Sequence, residues 1–157
     1  MKILLLTTLP NNVNKQLLLI TSDIVAIDFA TLCLDKQEFL AQLHTIVSNT
    51  HFNLLITYRC PYIIPLATRV LVDKCINIHP VALPEFAGAN PWRKLQLSGR
   101  NTSEVVVHLM ADKPDSGTII AKAKYEFSDF SGARNIADET AANLIVQQLK
   151  QSIYEEH

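Results

Sequence analysis

The chain has 157 residues, 48% of them hydrophobic and 18% charged, and 14 Lys plus Arg against 15 Asp plus Glu leave a net charge of −1. That length suits one domain spanning 1–157, and the scattered, nearly balanced charge excludes a general electrostatic hold on nucleic acid or anionic membrane. No apolar run approaches the roughly 20 residues of a membrane span, and three cysteines (Cys33, Cys60 and Cys75) without a Cys-x-x-Cys pair point away from a disulfide framework or a metal site.

The apolar start stops at Leu6 and gives way to Thr7-Thr8-Leu9-Pro10, too short for the core of a signal peptide. Residues 2–7 therefore read as a buried strand, and the expected compartment is cytoplasmic. Residues 13–21 fit either a short helix or a second apolar strand, because periodicity does not decide so short a run. Val25-Ala26-Ile27-Asp28-Phe29 reads as a strand. Asp35 as N-cap, Glu38 three residues on, and an apolar stripe of Phe39, Leu40, Leu43, Ile46 and Val47 predict a helix over 35–48. A buried strand over 53–58, a short helix over 66–73 and a strand over 75–79 follow. A loop rich in Pro and Gly runs to Pro91, and residues 92–98 make a helical turn or two. Strands over 105–109 and 118–124 face each other across a turn of Asp, Pro and Gly, which predicts an antiparallel pair. A last helix over 133–154 turns Ile136, Leu144, Ile145, Leu149 and Ile153 inward. The alternation predicts an α/β fold of three layers, with a mostly parallel sheet and an antiparallel C-terminal strand pair.

The most informative segment is Asn77-Ile78-His79-Pro80, followed by Leu83-Pro84, Gly88, Asn90 and Pro91-Trp92, with Asp115-Ser116-Gly117 downstream. Residues i and i+2 of a strand share a face, so Asn77 and His79 can converge on one substrate. Pro80 lacks an amide donor and ends the ladder, placing both side chains at a strand's carboxyl end, where open α/β sheets bind ligands. Taken singly, each residue has an ordinary explanation. Asn77 and Asp115 suit turns, His79 suits a structural role, and His108 suits hydrogen-bonded packing that supports a site. Trp92 fits either a pocket wall or a core aromatic. His44, His51 and His157 read as solvated, and the three cysteines as small core residues.

The ordered set resembles the folate-dependent formyltransferases, whose members formylate glycinamide ribonucleotide, methionyl-tRNA or sugar nucleotides. The resemblance covers residues 52–127 and rests on Asn77, His79, Pro80, Leu83, Pro84, Gly88, His108, Asp115 and Gly117, together with Tyr62-Ile63-Ile64-Pro65. It implies a formyltransferase-like, Rossmann-type fold and the transfer of a formyl group from formyl-tetrahydrofolate, in its 10-formyl form, to an amine through a tetrahedral intermediate. It also implies Asn77, His79 and Asp115 as catalytic residues. Asn77 would donate to the oxygen on which charge develops. His79, with an ordinary pKa of ~6.5, would move the proton and, as imidazolium, support the oxyanion. Asp115 would orient the imidazole or relay a proton. By the same resemblance Tyr62, Ile63, Ile64, Ala111, Asp112 and Lys113 hold the pteridine, and Pro80, Gly88, Asn90 and Trp92 line the acceptor side.

Two departures narrow the acceptor. Residues 6–12 carry no glycine where the family has a phosphate loop, which points away from glycinamide ribonucleotide. The chain ends after its last helix without a further basic domain, which points away from tRNA. A small-molecule amine remains, such as an amino sugar on a nucleotide carrier. Arg59 stands where the family has a glycine, either clashing with the folate slot or pairing with the folate's glutamate tail. The alternatives are a hydrolase of the same donor and a folate-binding or assembly module without activity. The small size and apolar last helix leave room for a homodimer.

Overall fold

The structure, a computed structural model, describes residues 1–7, 23–28 and 35–155, with side chains through Gln151. The expectations for residues 13–21, Phe29, Cys33, Ile153 and His157 lie outside the described residues. Six strands form one sheet: β1 (Ile3–Thr7), β2 (Ile24–Asp28), β3 (Leu54–Tyr58), β4 (Lys74–His79), β5 (Thr102–Leu109) and β6 (Ile119–Glu126), in the order β2-β1-β3-β4-β5-β6. β1 pairs in parallel with β2 and β3, and β3 with β4; β4–β5 and β5–β6 are antiparallel. Only β5 therefore runs against the others.

All five residues of β1, and all five of β3, are buried. Strands covered on both faces need apolar side chains pointing both ways, hence the unbroken run Ile3-Leu4-Leu5-Leu6. Ile3, Leu5, Ile56 and Ile78 join one core with Leu95, Ala137, Leu144 and Ile145. Leu4, Leu6 and Leu55 join a second with Phe39, Leu43 and Val47. The helices divide accordingly. α1 (Lys36–Asn49) covers the second core, while α3 (Pro91–Ser98) and α4 (Phe130–Glu155) cover the first, and α2 (Leu66–Arg69) links β3 to β4. This is the expected three-layer arrangement.

Local chemistry sets the boundaries. The Asp35 carboxylate accepts from the Glu38 N–H at 2.9 Å, capping α1. The expected helix over 66–73 stops at Arg69, because the N–H groups of Asp73 and Lys74 donate to Phe52 and Asn53 and draw the chain into the sheet. α4 starts three residues before its expected start, capped by the Asp129 side chain, which accepts from the N–H and hydroxyl of Ser131. β5 and β6 are longer than expected, with Thr102 opposite Glu126. Ile136 is half-buried and Leu144, Ile145 and Leu149 are buried, as the last helix requires. Among the described residues no helix is long and apolar enough to cross a membrane.

Candidate active site

β4 ends at His79, so Asn77 and His79 stand at its carboxyl end on one face, opposite Ile76 and Ile78 in the first core. The register brings Thr57 of β3 and His108 of β5 directly alongside Asn77. The three form a polar row across the sheet. The Thr57 hydroxyl donates to Asn77 Oδ1 at 2.7 Å, and Asn77 Nδ2 lies 3.0 Å from His108 Nε2. His108 Nδ1 donates to the Leu109 carbonyl at 2.9 Å, which leaves Nε2 as the acceptor for the Asn77 amide. One Asn77 N–H is thus spent on His108 and the other is left for a pocket oxygen.

His79 is 5% exposed and donates from Nδ1 to the Val81 carbonyl at 2.7 Å. Its Nε2 lies 3.4 Å from Asp115 Oδ2, and His108 Nε2 lies 3.8 Å from Asp115 Oδ1. Burial pulls the His79 pKa below its ordinary value; the Val81 carbonyl and Asp115 oppose this, while His108 and Lys94 add to it. Burial thus favours the neutral imidazole, and the Val81 carbonyl, which can only accept, places its proton on Nδ1 and its lone pair on Nε2. The imidazolium expected to support the oxyanion is then the form reached when Nε2 takes a proton. Asp115 then becomes its counter-ion.

The loops that carry the site are held from several sides. The Tyr125 hydroxyl donates to the Pro80 carbonyl at 2.8 Å, and the Ala82 N–H to Ser103 Oγ at 3.0 Å. The Gly88 N–H donates to Asp115 Oδ2 at 3.1 Å, tying the loop after β4 to the turn before β6. Gly88 has φ +86°, where a side chain would be strained. At Gly117 a Cβ would lie 1.6 Å from the Leu109 carbonyl oxygen, so only glycine lets the Asp115 turn pass β5.

These residues border a pocket of about 490 Å³, within the usual range for ligand sites. Asn77, His79, Asp115, His108, Tyr62, Ile63, Ile64, Ala111, Lys113, Pro80, Gly88 and Trp92 all line it. Two expected residues do not. Asp112 turns outward and pairs with Arg69, and Asn90 is exposed, with its neighbours Ala89 and Pro91 on the wall instead. The Asn90 backbone is left-handed, φ 55°, and its side chain makes no cap hydrogen bond to the helix it precedes. Trp92 both lines the pocket and packs edge-on against Phe130, ring centroids 6.4 Å apart.

Three further residues shape the site without a signal in the local sequence. Arg69, on α2, donates to the Ile64 carbonyl at 3.0 Å and the Met110 carbonyl at 3.2 Å as well as pairing with Asp112. It fastens together the two segments expected to hold a pteridine. Thr57 fixes the Asn77 amide. Asp138 of α4 accepts from Arg59 at 2.9 and 3.1 Å and from the Tyr58 hydroxyl. Arg59 lines the pocket with its guanidinium held by Asp138, and its φ of 57° shows why glycine suits the position. His44 and His51 are exposed yet partnered, with Thr68 at 3.0 Å and Asp73 at 3.1 Å. Cys60 and Cys75 pack against the second core, and burial pushes both thiols up to about 11. The raised values keep both thiols in the protonated, less nucleophilic form at neutral pH. No group of His, Cys, Asp or Glu among the described residues could hold a metal ion.

A profile of the formyl transferase family matches residues 3–143. Methionyl-tRNA formyltransferase from Borrelia recurrentis is 33% identical over 78 residues, which span 48% of this chain and 25% of that protein. Among solved structures, phosphoribosylglycinamide formyltransferase from Campylobacter jejuni superposes with a TM-score of 0.74 at 18% identity, over 98% of this chain and 97% of that one. A Mycobacterium tuberculosis protein put forward as a sugar N-formyltransferase gives 0.73 at 22% identity, over 95% and 66%. At these identities the superpositions speak for the fold alone.

Proposed function

The chain belongs to the formyl transferase family, and from that premise we propose that it moves a formyl group from 10-formyl-tetrahydrofolate to the amine of a small molecule. The observation that carries this reading is the meeting of Asn77, His79 and Asp115 on one pocket wall, with Asp115 3.4 Å from His79 Nε2. The pocket residues fit a folate donor. Ile63 and Ile64 offer apolar walls, and the backbone N–H groups of Ile63 and Ala111 take no backbone partner among the described residues. Unpartnered donors beside apolar walls suit a flat heterocycle rich in acceptors.

When bound, the donor supplies a formyl carbon open to attack by an amine. Asn77 directs its second amide N–H at the formyl oxygen, where negative charge gathers, and needs no proton transfer to do so. His79 accepts the amine's proton on Nε2, for which its neutral resting state prepares it, and returns that proton to the departing nitrogen. Asp115 stabilises the cation formed in between. Its 3.4 Å separation from Nε2 is too long for a settled hydrogen bond and shortens once the ring is charged. His108 and Thr57 hold Asn77 in place.

A small amine as acceptor is supported by the size of the pocket and by the net charge of −1, which provides no general attraction to a polyanion. The test is to incubate the protein with formyl-labelled donor, with and without a panel of amines that includes amino-sugar nucleotides. Transfer of label to an amine is the expected result. Loss of label at the same rate without any amine would make the protein a hydrolase, and binding without loss would leave it a folate-binding module.

A further inference from the structure

We propose that Thr57 is a positioning residue for this chemistry: its hydroxyl anchors Asn77 Oδ1 and so holds the carboxamide with its nitrogen toward His108 and the pocket. The inference rests on the formyl-transfer reading and extends it to a residue one strand away. A chain of hydrogen bonds fixes the Asn77 amide. The Leu109 carbonyl can only accept, so His108 carries its proton on Nδ1, 2.9 Å away. His108 Nε2 is then a lone pair, and the atom 3.0 Å from it must be the Asn77 nitrogen. That leaves Asn77 Oδ1 toward β3, where the Thr57 hydroxyl donates at 2.7 Å.

Reversing the amide would set oxygen against the His108 lone pair and turn Asn77 Oδ1 toward the developing oxyanion, so a donor would become a repelling acceptor. The acceptor-only Leu109 carbonyl sets this polarity through the His108 tautomer, and Thr57 completes it from the other side. With the Thr57 hydroxyl donating to Oδ1, the carboxamide is held at both ends; without it, Oδ1 loses its partner on β3 and only the His108 contact restrains the amide. Thr57 is 3% exposed, so its own hydroxyl is largely shielded from bulk solvent. The row is a product of register: Thr57 pairs with Asn77 and Asn77 with His108 across three adjacent strands. Leu6, which pairs with Thr57 on its other side, is apolar, so the row ends there.

The test compares Thr57→Val, which keeps shape and loses the hydroxyl, with Thr57→Ser, which keeps the hydroxyl. Thr57→Val is expected to lower kcat by about 10- to 100-fold, short of the loss from deleting an oxyanion donor outright. Affinity for a non-reactive folate analogue should stay within about 2-fold, and Thr57→Ser should recover most of kcat. A purely structural Thr57 would instead lower Tm and leave kcat per folded molecule unchanged, or be served no better by Ser than by Val; either result overturns the proposal. If Thr57→Val does not fold, Thr57→Ala is read in the same way. If the unaltered protein transfers no formyl group, the reading fails separately, and the lock is read from the Asn77 side-chain amide resonances in 15N-labelled protein. These should split or shift in Thr57→Val, and an unmoved pair overturns the lock.

Discussion

His79 shows how burial sets the role of one side chain. A histidine on a water-exposed strand end would be half charged near pH 6.5. Here burial lowers the pKa, and the Val81 carbonyl claims the Nδ1 proton, so the ring meets its substrate as a base. The same shift has a stability consequence. Because the folded pKa lies below the unfolded one, the stability is fully present above about pH 6.5 and is lost as pH falls through the folded value. The Tm of the unaltered protein should therefore fall on acidification from pH 7 to 5 more steeply than that of His79→Gln. Equal slopes in thermal scans of the two proteins would contradict this assignment. Asn77 and His79 were legible in the sequence because two residues apart on a strand is a local relation. Asp115 was legible through its turn and the family pattern. Thr57 was not, since its partner is 20 residues away and only register joins them.

At the scale of elements, the pocket lies at the ends of β3, β4 and β5 between the 59–64, 88–92 and 110–115 segments, and a short helix behind it was rendered only in part by the sequence. The helix expected over 66–73 is a single turn, and its importance lies in Arg69, whose guanidinium spans the 62–64 and 110–112 segments. The Asp112 side chain, in the loop that the family resemblance assigns to the cofactor through its backbone groups, turns outward and pairs with Arg69. Arg69 is only 12% exposed and donates to the Ile64 and Met110 carbonyls. Arg69→Ala should weaken folate binding by roughly 10-fold, as loss of one to two hydrogen bonds to a charged donor implies. The KM for the amine should stay within about 2-fold, measured by titrating a folate analogue and then the acceptor. Equal weakening of both would make Arg69 a general prop for the fold. The Asp115 turn depends on Gly117 in the same way. Gly117→Ala must displace the Leu109 carbonyl, and should cost at least about 1–3 kcal/mol in denaturant unfolding along with most activity. A variant of unchanged stability and activity would contradict the close approach.

The whole molecule is a sheet whose middle strands are covered on both faces and whose polar row opens at one place. β1 and β3 are buried throughout, and β4 becomes polar at Asn77 and His79, beside the reversal of direction at β5. Layering, the parallel strands and the antiparallel pair could be read from apolar runs and turn residues, because those patterns are local and periodic. The reach of α4 back to β3 could not. Asp138 meets Tyr58 and Arg59 from 79 to 80 positions away, and Ala133, Ala137 and Ala141 at four-residue spacing are what allow the helix so close to the sheet. The account's central claim is that Asn77, His79 and Asp115 act as one unit on a formyl group. The most direct measurement follows a labelled formyl group in a single turnover, comparing the unaltered protein with Asp115→Asn and His79→Asn after donor binding has been checked in each. Both variants should bind the donor within a few-fold of the unaltered protein and transfer the label at least about 100-fold more slowly. Transfer at an undiminished rate by either variant, with the donor bound, would contradict the claim.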